Sequence, residues 1–319
     1  METRTITVEG LRTRVLEESP GSGGQRPPIV LVHGVGGWAE NWRAVMRPFA
    51  ASGRRVVALD LPGFGESERP GRVRYFASGD AFYPRFVLGA MDALGIDRAH
   101  LGGQSMGGSI VLMTALTAPE RIRSMVLIAP GGFRREVALY LRLCSLPGMG
   151  LLARLPRPRS AAREGLRSCY YDVSLVTPEL YEESERYANP SFPEFVRTMA
   201  QGLDLGGIRR GLLDGWIARA SNYRGPVLVV WGREDRVIPI SHLEGVRELM
   251  PDAEIRIIDR CGHIAMAECP DAFLEAALPF LDRAETMAVA GAAESPDLQR
   301  APVGAAGRRP PTAGTIEGG

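Results

Sequence analysis

Residues 102–108 read GGQSMGG and place Ser105 in a G-x-S-x-G pattern, between Gly103 and Gly107. The run before it, residues 99–103 (AHLGG), has the look of a short buried strand. The run after it, residues 106–118, has the small and apolar residues of a buried helix. A strand that turns into a helix through such a sequence holds its serine in a strained turn, and the flanking glycines let the backbones approach. The hydroxyl then stands above the carboxyl edge of a sheet, at a helix N-terminus. An amide and the helix dipole there face any developing anion. Five residues alone also fit a plain Gly-rich helix start, so the surroundings decide.

Outward from this turn, continuous apolar runs recur. They are IVLV (residues 29–32), RVVALD (55–60), SMVLIA (124–129), PVLVVWG (226–232) and EIRIID (254–259). Such runs suit strands buried on both faces of a parallel sheet. Helical stretches at 38–50, 75–94, 106–118, 242–250 and 271–282 separate them, the second interrupted by Pro84. Two short strands, 3–8 and 11–16, meet at Gly10, and residues 19–28 read as a loop. The alternation predicts an α/β fold with a mostly parallel central sheet flanked by helices. It stops between residues 131 and 224, which read as helices and Pro-rich turns without a buried strand. The expected organisation is therefore a core of residues 1–130, a helical lid of 131–224, and a second part of the core at 225–283. Of the final 36 residues, 284–319, 19 are Ala, Gly or Pro and none is aromatic. This tail cannot bury enough apolar surface to offset its ordering entropy and is expected to be disordered.

Two further strands end on reactive side chains. GREDRVIP (232–239) sets Asp235 just past a strand's carboxyl end, on the same edge as Ser105, with Glu234 as a neighbouring substitute. CGHIAMAE (261–268) sets His263 there too, beside Gly262. Of the four histidines, His33 belongs to the loop HGVGGW, His100 opens a strand at its far end, and His242 begins a helix. By elimination His263 is the base. HGVGGW follows the strand at 29–32 and offers amides to the same anion.

The chain order Ser105, Asp235, His263, with each residue after a strand, is similar to that of the α/β-hydrolase fold family. The resemblance is to serine-triad members with a helical lid after the sixth strand, among them esterases and carbon–carbon bond hydrolases. It covers about residues 5–283 and extends to DLPGFGES (60–67), a structural turn without a catalytic role. It implies an enzyme in which Ser105 attacks a carbonyl, His263 is the general base, and Asp235 orients it. It also implies an oxyanion hole of the Val35 and Met106 amides, with no metal and no organic cofactor. Tyr140, Leu143, Met149, Tyr170, Phe195 and Trp216 are the expected substrate-pocket residues of the lid, with Ile264 beside the base.

The leading expectation is hydrolysis of an ester, thioester or lactone of a small or medium hydrophobic substrate. The alternatives are a carbon–carbon bond hydrolase of ring-fission products, or a non-hydrolytic acyltransferase, cyclase or ligand receptor. The carbon–carbon hydrolases carry a Trp directly after the catalytic His and a lid Arg for the substrate carboxylate. Here Ile264 follows His263, and TPELYEES (177–184) has Ser184 at the arginine's place, with Arg186 nearby.

Composition removes other chemistries. All 38 basic residues are Arg, so a Walker-A lysine, a pyridoxal Schiff base and a Ser-Lys dyad are excluded. A net charge of +1 argues against a nucleic-acid binder, and no apolar run approaches the roughly 20 residues of a membrane span. Cys144, Cys169, Cys261 and Cys269 form no C-x-x-C pair or zinc spacing. The opening METRTITVEGLRTRV has no signal-peptide core, so a cytoplasmic protein with reduced thiols is expected. The partner is a small-molecule substrate, and the oligomeric state stays open between monomer and homodimer. Residues 131–224 hold 14 Arg against 10 acids, with Arg154, Arg157, Arg159, Arg163 and Arg167 close together. They read as a solvated helix face, although an anionic substrate or membrane surface could use them.

Overall fold

Side chains alternate between two cores along the strand Arg26–Val32 (β3): Ile29 and Leu31 belong to one apolar core, Val30 and Val32 to the other. A period of two on a strand buried on both sides places one core on each face of a sheet. The computed structural model describes residues 1–21, 26–77, 81–155 and 157–293. Around β3 lie β1 (Glu2–Val8), β2 (Leu11–Glu18), β4 (Arg54–Leu59), β5 (Ala99–Gln104) and β6 (Ile122–Ile128). The helices of this half are α1 (Arg43–Ala51), α2 (Phe82–Ala93) and α3 (Met106–Thr117).

Between β6 and the strand Val227–Gly232 (β9) runs a mainly helical segment. It comprises α4 (Leu139–Leu143), α5 (Met149–Leu152), α6 (Arg159–Ser168), α7 (Pro178–Gly202) and α8 (Arg210–Gly215). It also holds a small hairpin of β7 (Leu203–Asp204) and β8 (Gly207–Ile208), where no strand was expected. The chain then continues through α9 (His242–Leu249), β10 (Glu254–Ile258), α10 (Ala265–Glu268) and α11 (Pro270–Ala293).

The main sheet has eight strands in the order β1-β2-β4-β3-β5-β6-β9-β10. β1 and β2 are antiparallel to their neighbours; from β4 to β10 every pairing is parallel. The carboxyl ends of β3, β5, β9 and β10 therefore share one edge, which is where open α/β sheets place ligands. The helix α3 is buried on nearly all sides, from Met106 to Ala115, as its apolar composition requires.

Two expectations change at element ends. Of the helix expected over 75–94, residues 78–80 lie outside the described residues, and the described helix starts at Phe82, with Pro84 in its first turn, where the missing N–H has no intrahelical carbonyl to meet. The tail expected to be disordered from 284 instead continues α11 to Ala293. Ala284 is buried, and Glu285 accepts hydrogen bonds from Arg54 (2.9 Å) and Arg26 (2.9 Å), so these contacts supply the burial that composition alone does not. The rest of that tail, 294–319, lies outside the described residues, as do 22–25 of the expected loop. Among the described residues no helix is long and apolar enough to cross a membrane.

Candidate active site

Ser105 caps α3 with φ 55° and ψ −120°, a conformation rare for a residue with a side chain. Such strain costs on the order of 1–3 kcal/mol and persists only where the surroundings enforce it. They do here. The Ser105 amide donates to the Ile128 carbonyl (2.8 Å), and its own carbonyl accepts from Gly108 (3.0 Å). A Cβ at Gly103 would strike the Gly107 carbonyl, and one at Gly107 the carbonyls of Val32 and His33. Both glycines are thus required by the close crossing of β5, α3 and β3.

His263 lies past β10 and is almost fully buried. Its Nδ1 is 2.7 Å from Asp235 Oδ2. Asp235 Oδ1 accepts the amides of Val237 (2.8 Å) and Ile238 (3.0 Å), which fix the carboxylate with Oδ2 toward the imidazole. The paired Nδ1 leaves Nε2 as the free nitrogen. Glu234, the alternative acid, instead accepts the Cys261 amide (3.0 Å) and is turned away from the imidazole.

Several groups that hold this loop carry no sequence signal of their own. The His263 amide donates to the Cys169 carbonyl (2.7 Å), and Gln104 Nε2 donates to the His263 carbonyl (3.2 Å). Glu268 accepts the amides of Gly262 (2.6 Å), Tyr171 (2.8 Å) and Asp172 (2.8 Å). One side chain thereby ties the histidine loop to the helical segment. Glu268 was legible only as the last letter of CGHIAMAE, because Tyr171 and Asp172 lie 97 and 96 residues away.

The loop after β3 is held by His33, whose Nε2 accepts the Leu61 amide (2.9 Å) while Nδ1 meets the Gly34 carbonyl (2.7 Å). Burial lowers the His33 pKa, so it stays neutral and structural. Asp60 of DLPGFGES is structural as well: it accepts the amides of Ala39 (2.7 Å) and Glu66 (2.8 Å) and pairs with Arg14 (2.6 Å). Val35 and Met106 both border Ser105, and Met106, as the first residue of α3, has an amide without an intrahelical acceptor.

Ser105 opens onto two cavities. The larger, about 560 Å³, is bordered by Ser105, His263, Ile264, Tyr140 and Phe195 together with the loop 34–38. The smaller, about 80 Å³, is apolar and is bordered by Ser105, Met106, Met113, Trp216 and Ile238. Tyr140, Phe195, Ile264 and Trp216, all expected pocket residues, thus line the two cavities. Leu143 is a correction: it is 44% exposed and borders neither cavity, because α4 turns it outward while Leu141 faces in. Met149 and Tyr170 border neither cavity either, and Tyr170 packs in the core beneath. Arg157, Ser184, Asn41 and Trp38 line the larger cavity and were not singled out as pocket residues. Among the described residues no cluster of His, Cys, Asp and Glu could hold a metal ion.

Sheet order, strained serine turn and buried His–Asp pair together define an α/β-hydrolase. The chain matches the alpha/beta hydrolase fold family over residues 27–270 and belongs to it, and it is a hydrolase. It is 35% identical over 267 residues to a 2-hydroxy-6-oxo-6-phenylhexa-2,4-dienoate hydrolase of Burkholderia cepacia, covering 81% of this chain and 88% of the relative. It is 34% identical over 267 residues to a 2-hydroxy-6-oxononadienedioate/2-hydroxy-6-oxononatrienedioate hydrolase of Comamonas testosteroni, with the same coverage of 81% and 88%. Among solved structures, the meta-cleavage product hydrolase of Pseudomonas fluorescens IP01 superimposes with a TM-score of 0.69 at 29% identity, covering 88% of this chain and 98% of that one.

Proposed function

We propose that this protein is a carbon–carbon bond hydrolase that cleaves ring-fission products of the 2-hydroxy-6-oxo-dienoate type. One observation carries the reading: relatives named for that reaction align with 81% of the chain at 34–35% identity. They favour this reading over ester hydrolysis, the leading expectation from sequence.

The substrate's chemistry fits the site. In a 2-hydroxy-6-oxo-dienoate the C6 ketone is conjugated through two double bonds to the enol at C2. Moving the enol proton to C5 makes C2 a ketone and C5 a saturated carbon. Ser105 Oγ then adds to C6 while His263 Nε2 takes the hydroxyl proton. The oxyanion rests on the Val35 and Met106 amides, each such donor contributing roughly 3 kcal/mol. The C5–C6 bond breaks as the oxyanion collapses, its electron pair passes through the C3–C4 double bond to the C2 oxygen, and that oxygen takes the proton held by His263. Water, deprotonated by the again neutral His263, attacks the acyl-enzyme and releases the acyl group as a carboxylic acid, and His263 returns the proton to Ser105 Oγ. The net reaction adds one water: the hydroxyl goes to the acyl fragment and the hydrogen to the dienoate. Asp235 holds the imidazole tautomer and stabilises the imidazolium. No cofactor enters any step. Residues 131–224 act as the lid, with residues 1–130 and 225–283 as the core.

Ester hydrolysis is the second reading, favoured by Ile264 and Ser184 standing where carbon–carbon hydrolases carry Trp and Arg. Purified protein is assayed with 2-hydroxy-6-oxo-6-phenylhexa-2,4-dienoate, following loss of the dienolate absorbance, and with p-nitrophenyl esters from acetate to laurate. The proposal expects kcat/KM on the dienoate above that on every ester, and loss of both activities in Ser105→Ala. Ester turnover without dienoate turnover reverses the order of the two readings.

A further inference from the structure

The larger cavity contains one guanidinium with no counter-ion among the described residues. Arg157 lines it half-buried, with its guanidinium carbon 3.6 Å from the ring centroid of Phe192. The rest of its arginine cluster behaves as a solvated face: Arg154, Arg159, Arg163 and Arg167 are all exposed. Arg163 pairs with Glu185 (2.6 Å), Arg159 stands 3.6 Å from the same acid, and Arg167 is 3.7 Å from Glu164. Glu164 borders the cavity too, but its side chain is 79% exposed and its cationic neighbour is Arg167.

Two other groups clarify what Arg157 is for. Ser184, which stands at the place of a lid arginine, lines the same cavity, but its hydroxyl donates to the Ala162 carbonyl (3.0 Å). Arg186, the nearest arginine in sequence, is exposed and borders neither cavity. Burial lowers the Arg157 pKa, the signature of a charge that lacks an anion. A guanidinium held over a ring face keeps N–H groups available, in the fork geometry that matches a carboxylate. The buried Trp38 indole N–H, in the same cavity lining, also has no hydrogen-bond partner among the described residues.

We infer that Arg157, laid on Phe192, is this protein's carboxylate-binding residue and holds the anionic end of the substrate from the lid wall. The inference rests on the carbon–carbon hydrolase reading for the identity of the substrate, but not for the anion site itself. Arg157 thereby takes over a task that Ser184 cannot perform. Because Ser105 borders the same cavity, an anion on Arg157 directs the dienoate portion into the larger space.

Sorbate, a stable hexa-2,4-dienoate anion, tests this without turnover. Its binding, and that of neutral methyl sorbate, is measured by calorimetry for the wild type, Arg157→Met, Arg157→Lys and Arg186→Met. The wild type is expected to prefer sorbate. Arg157→Met should weaken sorbate binding about 10- to 100-fold, the range of a lost charged hydrogen bond, and abolish the preference over methyl sorbate. Arg157→Lys should recover part of the loss, and Arg186→Met should match the wild type. Thermal melts of each variant report folding. Sorbate binding unchanged in Arg157→Met overturns the inference, as does an equal loss in Arg186→Met, or a wild type that binds neither compound. If sorbate binds through Arg157 yet dienoates are not cleaved, the anion site stands and the reaction reading falls. If dienoates are cleaved with no dependence on Arg157, the opposite holds.

Discussion

Glu194, on α7, makes the stability of this fold depend on pH. Its side chain is fully buried; Oε1 accepts the Tyr75 hydroxyl, and Oε2 accepts no hydrogen bond. Arg197 stands 3.5 Å and Arg69 3.8 Å from Oε2. Burial outweighs both guanidinia and pushes the carboxyl from its ordinary 4.5 up to about 7. The gap of about 2.5 pH units, at 1.36 kcal/mol per unit, corresponds to about 3 kcal/mol. The unfolded chain releases this proton near pH 4.5, while the native protein keeps it to about pH 7. In that window the native state binds more protons, so stability is full below it and falls as pH rises through it. Glu194→Gln is nearly isosteric, cannot ionise, and lacks this slope. Urea unfolding of wild type and variant at half-unit steps from about pH 4 to 8.5 isolates the effect. Relative to the variant, the wild type should lose about 3 kcal/mol between the two ends, with most of the change complete by pH 7. A difference that stays flat across the range, or one that favours the wild type as pH rises, refutes the reasoning. A flat result would mean that water or the two arginines keep the carboxylate ionised in the native state.

Other perturbations test the site and its scaffold. Asp235→Asn should leave the fold intact but lower kcat by about 10⁴-fold through loss of the imidazole tautomer, read from steady-state kinetics with circular dichroism as control. Gly107→Ala drives a methyl into the carbonyls of Val32 and His33 and should cost about 1–3 kcal/mol in denaturant titrations while abolishing turnover. Arg14→Met leaves the fully buried Asp60 without its 2.6 Å partner and should destabilise by about 3–5 kcal/mol, read as a fall in the urea midpoint. Glu268→Ala unpins the histidine loop from Tyr171 and Asp172; kcat should fall more than KM rises, and Glu268→Gln should restore part of it.

The arrangement of core and triad was legible because it is written in local patterns. Strands such as IVLV and PVLVVWG are buried on both faces, so they stand out as unbroken apolar runs, and each parallel strand must deliver its carboxyl end to one edge. Ser105, His263 and an acid at 234–235 follow directly from that edge. The choice of Asp235 over Glu234 did not, because adjacent residues leave a strand in different directions and only the Cys261 amide shows where Glu234 goes. The helical segment was the least legible part. In helices packed on a curved surface, a turn's rotation decides between pocket and solvent, and periodicity does not report it: Leu143 points out while Leu141, two residues before, points in.

Sequence by itself determined the sheet, the two-faced core, the serine turn with its obligatory Gly103 and Gly107, and the chain order of serine, carboxylate and histidine at one edge. These depend on backbone geometry and near-neighbour chemistry, which a short stretch of chain encodes. Tertiary structure alone decided which carboxylate meets the imidazole, that Glu268 and the Cys169 carbonyl fasten the histidine loop, and that α11 holds residues past 283 through Glu285 and Arg54. It alone distinguished Arg157 from four neighbouring arginines of identical chemistry. Burial and pairing are set by what distant parts of the chain bring alongside, and a guanidinium becomes a binding group only where its counter-ion has been withheld.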